Sequence, residues 1–399
     1  MTGDPHHARI PPPAFLAGPA PAAVLAALPG ARAVGGCVRD ALAGRDVHDV
    51  DVAAPLPPEE IARLLQAAGL KVFETGLKHG TVTAVLGGVP VEVTALRRDV
   101  ATDGRHAEVE WTTDWREDAA RRDFTINAMS LDAVGRLWDY FGGREDLAAG
   151  RVRFVGDAAT RLAEDYLRAL RFFRFLARYG RGEPDPAALA AIRDAVPGLA
   201  ARIAPERIWM ELKRLLEAPD PTGAVGLMRE TGLLAAVLPE AGDGAALDRL
   251  VAIGAPADPL LRLAALVPEP LGIAARLRLS REEAAQLYRF SVLAFYPSNP
   301  DDVPALRAWL AERDKARALD ELWLAEARDG VDRSALRAAV AAMEQPVFPL
   351  QGRDLLALGL TPGPAVGEML AAIRAWWLEN GAGPDRDACL TEARRRLGG

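Results

Sequence analysis

Residues 33–54, AVGGCVRDALAGRDVHDVDVAA, constrain the fold more than any other stretch of this chain. A short apolar approach, Ala33 and Val34, meets the pair Gly35 and Gly36, and a helical segment carrying Arg39 and Asp40 on its first turns follows. From Val47 to Val52 polar and β-branched residues alternate, and a period of two predicts a strand with Asp49 and Asp51 on one face. Two carboxylates side by side repel each other unless a cation lies between them. Hard divalent ions such as magnesium take oxygen ligands and often bridge a carboxylate to phosphate oxygens. The glycines leave backbone N–H groups bare at a helix N-terminus, where a triphosphate can dock, and Arg39 adds a fixed positive charge. Alone, Asp-x-Asp is usually a solvated strand edge and Gly-Gly usually a turn. In this order and spacing they point to metal-assisted phosphoryl transfer.

A chain of 399 residues exceeds what a single core usually supports, so about two to four structural units are expected. No charge-free apolar run reaches the ~20 residues needed to span a bilayer. The proline-rich N-terminus has no signal-like apolar stretch, which predicts a cytoplasmic protein. Cys37 and Cys389, the only cysteines, supply neither a disulfide framework nor a thiolate zinc site. The histidines, His6, His7, His48, His79 and His106, all precede residue 107, which excludes a histidine-based metal hydrolase from the rest of the chain. With a net charge of −7, any contact with RNA has to come from local basic patches.

Residues 1–20 read as a disordered or loosely attached arm. From about 30 to 155 short β runs alternate with helices. Residues 57–68 form a helix with proline in its first turn, and 72–75, 79–86 and 89–94 read as strands, the last two joined by a Gly87-Gly88 hairpin turn. Glu92 interrupts the β-branched run VPVEVT. It is either edge-exposed or a third metal-site acid, and beside Asp49 and Asp51 the second reading is preferred. Residues 96–110 are polar and without a clean period, a long connector of the kind that serves as a lid. In WREDAARRDFTINAM, 115–129, the plain expectation is a helix whose charges face water. After Gly156 almost everything reads as helix. A long helix over 158–179 carries Asp165 and then Arg168, Arg171 and Arg174 at steps of three, an inclined ridge flanked by phenylalanines. Arginines packed against protein need anionic partners, which a phosphate-bearing ligand or ordinary intrachain carboxylates would supply.

Four motifs agree in order and spacing: GGCVRD…DVDVA at 35–53, RRDFTINAM at 121–129, EDYLRALRFFRF at 164–175 and PERIWMELKRLL at 205–216. In these the chain resembles class II of the nucleotidyltransferase superfamily, the bacterial group that holds the tRNA nucleotidyltransferases (CCA-adding enzymes) and poly(A) polymerases. QGRDLLALGLTPGPAVGEML at 351–370 is similar to the family's tail motif. The resemblance implies an α+β fold: a polymerase-β-like head with a mixed five-stranded sheet, then an all-α neck, body and tail. On that pattern 1–29 is an N-terminal arm, 30–156 the catalytic head, 157–220 the neck that recognises the base, and 221–345 and 346–399 the body and tail that bind tRNA. It also implies that Asp49 and Asp51 bind two Mg²⁺ ions. Gly35, Gly36 and Arg39 would contact the triphosphate and Arg122 would help hold the nucleotide. Asp165 and Arg168 match the family's base-reading pair, and Arg171 and Arg174 its further nucleotide-binding arginines.

Within the family the sequence favours CCA addition to tRNA, with CTP and ATP as substrates. It lacks a strongly basic segment after the head strands, which is associated with poly(A) polymerases, and HGTVTAV at 79–85 resembles the CCA side. DGRHAEV at 103–109 resembles the flexible loop used in switching from CTP to ATP; it argues against a CC-only enzyme and leaves A-only addition open. The missing C-terminal histidines predict no added phosphohydrolase activity. In the body Arg249, Arg262, Arg276, Arg278 and Arg281 read mostly as solvated, and Trp376-Trp377 as tail packing. A small-molecule nucleotidyltransferase and a catalytically silent RNA-binding scaffold are the alternatives from other classes.

Overall fold

The computed structural model describes residues 4–76, 80–102, 107–199, 202–270, 272–291 and 296–398. The chain divides into two compact units, Met1–Pro239 and Glu240–Gly399.

The first unit is α+β. Its elements in order are β1 (Ala8–Arg9), α1 (Pro19–Ala27), β2 (Arg32–Val34), α2 (Gly36–Leu42), β3 (Asp51–Ala54), α3 (Pro58–Ala67), β4 (Lys71–Gly76), β5 (Thr81–Leu86) and β6 (Val89–Ala95). There follow β7 (Arg97–Thr102), β8 (Ala107–Trp111), α4 (Trp115–Ala120), β9 (Met129–Leu131), β10 (Arg136–Asp139) and α5 (Gly143–Ala149). The helices α6 (Ala158–Glu164), α7 (Leu167–Tyr179), α8 (Pro186–Leu199) and α9 (Pro205–Leu216) complete what positions the site. Among the described residues one mixed sheet holds eight strands in the order β1-β10-β9-β2-β3-β6-β5-β4, wider than the five expected. All its pairings are antiparallel except β3 with β6.

Several expectations are corrected. The alternation over 47–52 becomes strand only from Asp51. The reason is a missing neighbour: β2 pairs Ala33 with Val52, then its chain turns at Gly35 into α2, so residues 47–50 have no antiparallel partner. Asp49 therefore sits in the coil leading into β3. The connector after residue 96 is a separate antiparallel ribbon of β7 and β8 with a bulge between Asp99 and Ala101. Residues 103–106, including His106, lie outside the described residues, as does His79. The N-terminal segment is tied down. Arg32 is sandwiched between the rings of Trp115 and Trp138, at 4.1 and 3.5 Å, and the carboxylate of Asp4 satisfies this buried cation at 2.9 Å. The Gly87-Gly88 turn is as expected, both glycines having positive φ (60° and 83°) that favours residues without Cβ.

The helix expected over 158–179 breaks at Asp165, which is extended (φ −153°, ψ 109°). Its carboxylate accepts from Leu167 N at 3.0 Å and starts α7 afresh, the competition with helix backbone that makes Asp a capping residue. One face of α7 is anchored by aromatic packing. Phe172 stacks on Phe154 at 5.8 Å, Phe124 meets Phe154 at 4.9 Å and Phe175 at 5.3 Å, and all four rings are buried. At about 1.5–3 kcal/mol for each buried phenylalanine, this cluster sets α7 firmly against the segment 123–129.

Among its described residues the second unit's regular elements are all helices. Trp377 is buried in a cluster with Ile373, Cys389 and Leu390 and donates to Pro384 O at 3.0 Å, which bears out tail packing. Arg278 and Arg281 are exposed, but Arg262 is 3% exposed, because the helix Pro259–Leu266 is buried at every residue from Leu260 on. Cys37 and Cys389 are both free and buried. Among the described residues no helix is long and apolar enough to cross a membrane.

Candidate active site

In the parallel pairing of β3 with β6, Asp51 is the register partner of Glu92. The two carboxylates thus share a face with their strands about 4.8 Å apart. Asp49, Asp51 and Glu92 are all exposed. Even so, the protein around it and then the charge of Glu92 push the Asp51 carboxyl above the ordinary carboxylate range, with Asp49 adding to the rise and Arg122 opposing it. Among the described residues no three acids, histidines or cysteines converge tightly enough to hold a metal by themselves. The arrangement is nonetheless a concentration of oxygen donors whose negative charge is incompletely offset. That donor set suits a hard divalent cation whose remaining ligands come from phosphate or water.

Beside the acids lies an anion-accepting turn. Gly35 has φ 70°, and a Cβ there would come within 3.0 Å of Arg122 Nη1; at Gly36 a Cβ would lie 3.6 Å from Arg39 Nη2. The glycines thus keep the backbone open between two guanidiniums. Arg39 donates to Asn127 Oδ1 at 2.6 Å and to both carboxylate oxygens of Asp40, at 3.0 and 2.8 Å. Arg122 pairs with Asp118 at 3.1 Å, as does Arg121 at 2.7 Å. Asp118 is only 2% exposed. Burial alone would raise its pKa, but Arg122 and Arg121 hold it below the usual range. Asp118, Arg121 and Arg122 therefore face protein and cleft rather than water, contrary to the plain expectation, while Arg116 is exposed as expected.

The third wall is α7 with the break before it. Arg171 donates to Asp123 at 2.7 Å, and Arg174 to Glu211 of α9 at 2.6 Å. Arg168 pairs with Glu164 and donates to Arg161 O at 3.0 Å. All three arginines of the row thus have intrachain carboxylate partners. Asp123 is buried, and Arg171, Asn127 and its own segment's backbone keep it ionised against the effect of burial. Asp165 accepts from Arg207 at 2.7 Å. Gly35, Gly36, Arg39, Asp51, Arg122, Asp165, Arg168, Arg171 and Arg174 all line one open cleft of about 620 Å³, together with Arg97, Arg121, Arg207 and Arg214. A concave surface with an acidic edge and so many guanidiniums accepts a polyanion with a cation at one end.

Residues 31–153 match the family described as the Poly A polymerase head domain, and 183–243 that described as the probable RNA and SrmB-binding site of polymerase A. The mitochondrial CCA tRNA nucleotidyltransferase 1 of Danio rerio is 38% identical over 372 residues, covering 90% of this chain and 86% of that protein. The chain belongs to the CCA tRNA nucleotidyltransferase family. The human mitochondrial CCA tRNA nucleotidyltransferase 1 is 36% identical over 90% of this chain and 85% of its own length. A crystal structure of the Bacillus stearothermophilus CCA-adding enzyme, in complex with CTP, superposes with a TM-score of 0.72 at 30% identity, covering 95% of this chain and 99% of that one. Membership makes this chain a nucleotidyltransferase and implies dependence on a divalent metal.

Sequence reading of this CCA-family chain missed the residues that support the arginines. Asp118 stands three and four residues before Arg121 and Arg122, the helical spacing for ion pairs. That signal was present but is shared with many solvated helices. Glu211 and Arg207 lie inside a quoted motif, yet nothing local reveals that they face Arg174 and Asp165 some 40 residues earlier.

Proposed function

We propose that this enzyme adds C, C and A to the 3′ end of tRNA from CTP and ATP, without a nucleic acid template, releasing pyrophosphate. The reading is carried by one observation: Asp51, the Gly35-Gly36-Arg39 turn and the Asp165–Arg174 row line the same cleft. Asp49 and Asp51 would hold magnesium, two ions in our reading, with Glu92, the register partner of Asp51, as the third acid. Bound there, the metal supplies neutralisation of the triphosphate and a lowered pKa for the attacking 3′-hydroxyl.

The chain's own groups do the rest. Backbone N–H groups at Gly35 and Gly36, with Arg39 and Arg122, grip the triphosphate so that its α-phosphorus meets the hydroxyl in line. Asp165 accepts from the exocyclic amine that cytosine and adenine share, and Arg168 donates to the ring nitrogen beside it. Uracil and guanine would set a carbonyl oxygen against Asp165, a desolvated clash of about 1–3 kcal/mol. Arg171 and Arg174 extend the row along the bound nucleotide. We assign base recognition to residues 157–220 and tRNA binding to 221–345 and 346–399, where duplex RNA would be read by shape and backbone.

The test supplies tRNA ending at its discriminator base, and tRNA ending in CC, each with CTP, ATP or both, and sequences the new 3′ ends. The proposal requires CC from CTP alone and CCA from both. Addition of A only to tRNA already ending in CC, or long A tracts, would replace it with the A-adding or poly(A) reading.

A further inference from the structure

Arg39 does not stand alone in the cleft. Its neighbour Asp40 grips it through Nε and Nη2, although consecutive residues on a helix point about 100° apart. What holds Asp40 in that pose comes from the far end of α7: the Tyr179 hydroxyl donates to Asp40 Oδ1. The Tyr179 ring lies 4.6 Å from the Arg39 guanidinium carbon, and the Phe175 ring 5.1 Å from it. Asn127 takes the third contact, through Nη1. Three of the guanidinium's five N–H groups are thereby committed, two rings lie close to it, and one N–H remains on each terminal nitrogen for an anion. The Arg39 side chain is only 11% exposed and Tyr179 8%, so this orientation is built in rather than sampled.

We propose that Tyr179 and Asp40 are positioning residues that aim Arg39 at the nucleotide's phosphates, acting equally on CTP and ATP. The proposal rests on the reading of Arg39 as a triphosphate ligand. It makes one helix serve both ends of the nucleotide: Arg168, Arg171 and Arg174 toward the base and sugar, and Tyr179, through Asp40, toward the phosphates. Because the hydroxyl acts on Arg39 and not on the base, its loss leaves selectivity among bases untouched.

Tyr179→Phe keeps the ring under Arg39 and removes only the donor; Asp40→Asn keeps the shape and removes the charge. Each is compared with wild type and Arg39→Ala for KM and kcat, using CTP on tRNA lacking CCA and ATP on tRNA ending in CC, with melting temperature alongside. The expected result is a rise of about tenfold in KM for both nucleotides, by the same factor, with kcat little changed. The double variant is expected to be no worse than the more impaired single one. If Arg39→Ala raises KM and the other two do not, positioning is overturned while the role of Arg39 stands. A loss confined to melting temperature or kcat overturns it as well, since that is what a merely structural contact would give. If Arg39→Ala leaves KM unchanged, the triphosphate reading itself fails and the proposal falls with it.

Discussion

The carboxyl of Asp51 has a raised pKa because the surrounding protein and Glu92 disfavour its ionised form, and Asp49 does so further. An acid of this kind protonates at a higher pH than a free one, and once neutral it no longer holds a cation. At limiting divalent metal, kcat/KM should therefore fall as pH is lowered, with a midpoint above the ordinary carboxylate range, and added metal should move that midpoint down. The stability consequence has the opposite sign to that of a salt-bridged acid. The ionised form is the one the fold disfavours, so Asp51→Asn should raise the melting temperature of the metal-free protein at neutral pH and change little well below the folded pKa. An unchanged or lowered value at neutral pH would contradict the repulsion assigned to this cluster. At Asp165, replacement by alanine removes the acceptor that opposes uracil and guanine. Misincorporation of UMP and GMP relative to CMP and AMP should rise by about tenfold or more, measured by sequencing 3′ ends; unchanged selectivity would rule out base reading by this carboxylate. Asp49, Asp51 and the arginine row were legible as residues because each sits in a compact motif. Asp118 and Asp123 were not, because a buried acid and a solvated one look alike until the arginines around them are placed.

Among the elements, α7 was legible and its start was not. The periodicity of the phenylalanines marks the buried face, and those rings are buried as expected. The break at Asp165 depends on a backbone hydrogen bond and on Arg207, both invisible to helical periodicity. Truncating Phe172 to alanine should cost about 3–5 kcal/mol in urea unfolding and raise KM for both nucleotides, since the arginine row rides on that packing. A stable variant with normal KM would show that the ring cluster does not position the row. The strands of the polar segment after Leu96 were not legible, because charged residues and a bulge break their alternation; the segment forms a ribbon rather than an irregular connector. Deleting residues 99–108 should impair AMP addition more than CMP addition, by about tenfold or more, in single-turnover assays. An equal loss of both would contradict a role in switching between nucleotides.

At the scale of the whole molecule, a chain of net charge −7 has an arginine-rich cleft in its first unit. Composition argued only against generic adhesion to nucleic acid and left any RNA contact to local basic patches, and the cleft is such a patch. The class of fold was readable because β-period motifs precede residue 156 and helical periodicity follows it. The width of the sheet was not, since β1, only two residues long, depends on long-range pairing with β10. The central claim is that exposed, mutually repelling acids beside a phosphate-accepting turn run the chemistry while a separate helix inspects the base. Its most direct test is the single-turnover rate of CMP addition by Asp49→Ala and Asp51→Ala, with tRNA binding and melting temperature measured in parallel. The expected result is a rate at least about a thousandfold lower, with tRNA affinity near that of wild type and a melting temperature no lower than that of wild type. Turnover close to wild type in either variant would contradict the assignment of that acid to the metal.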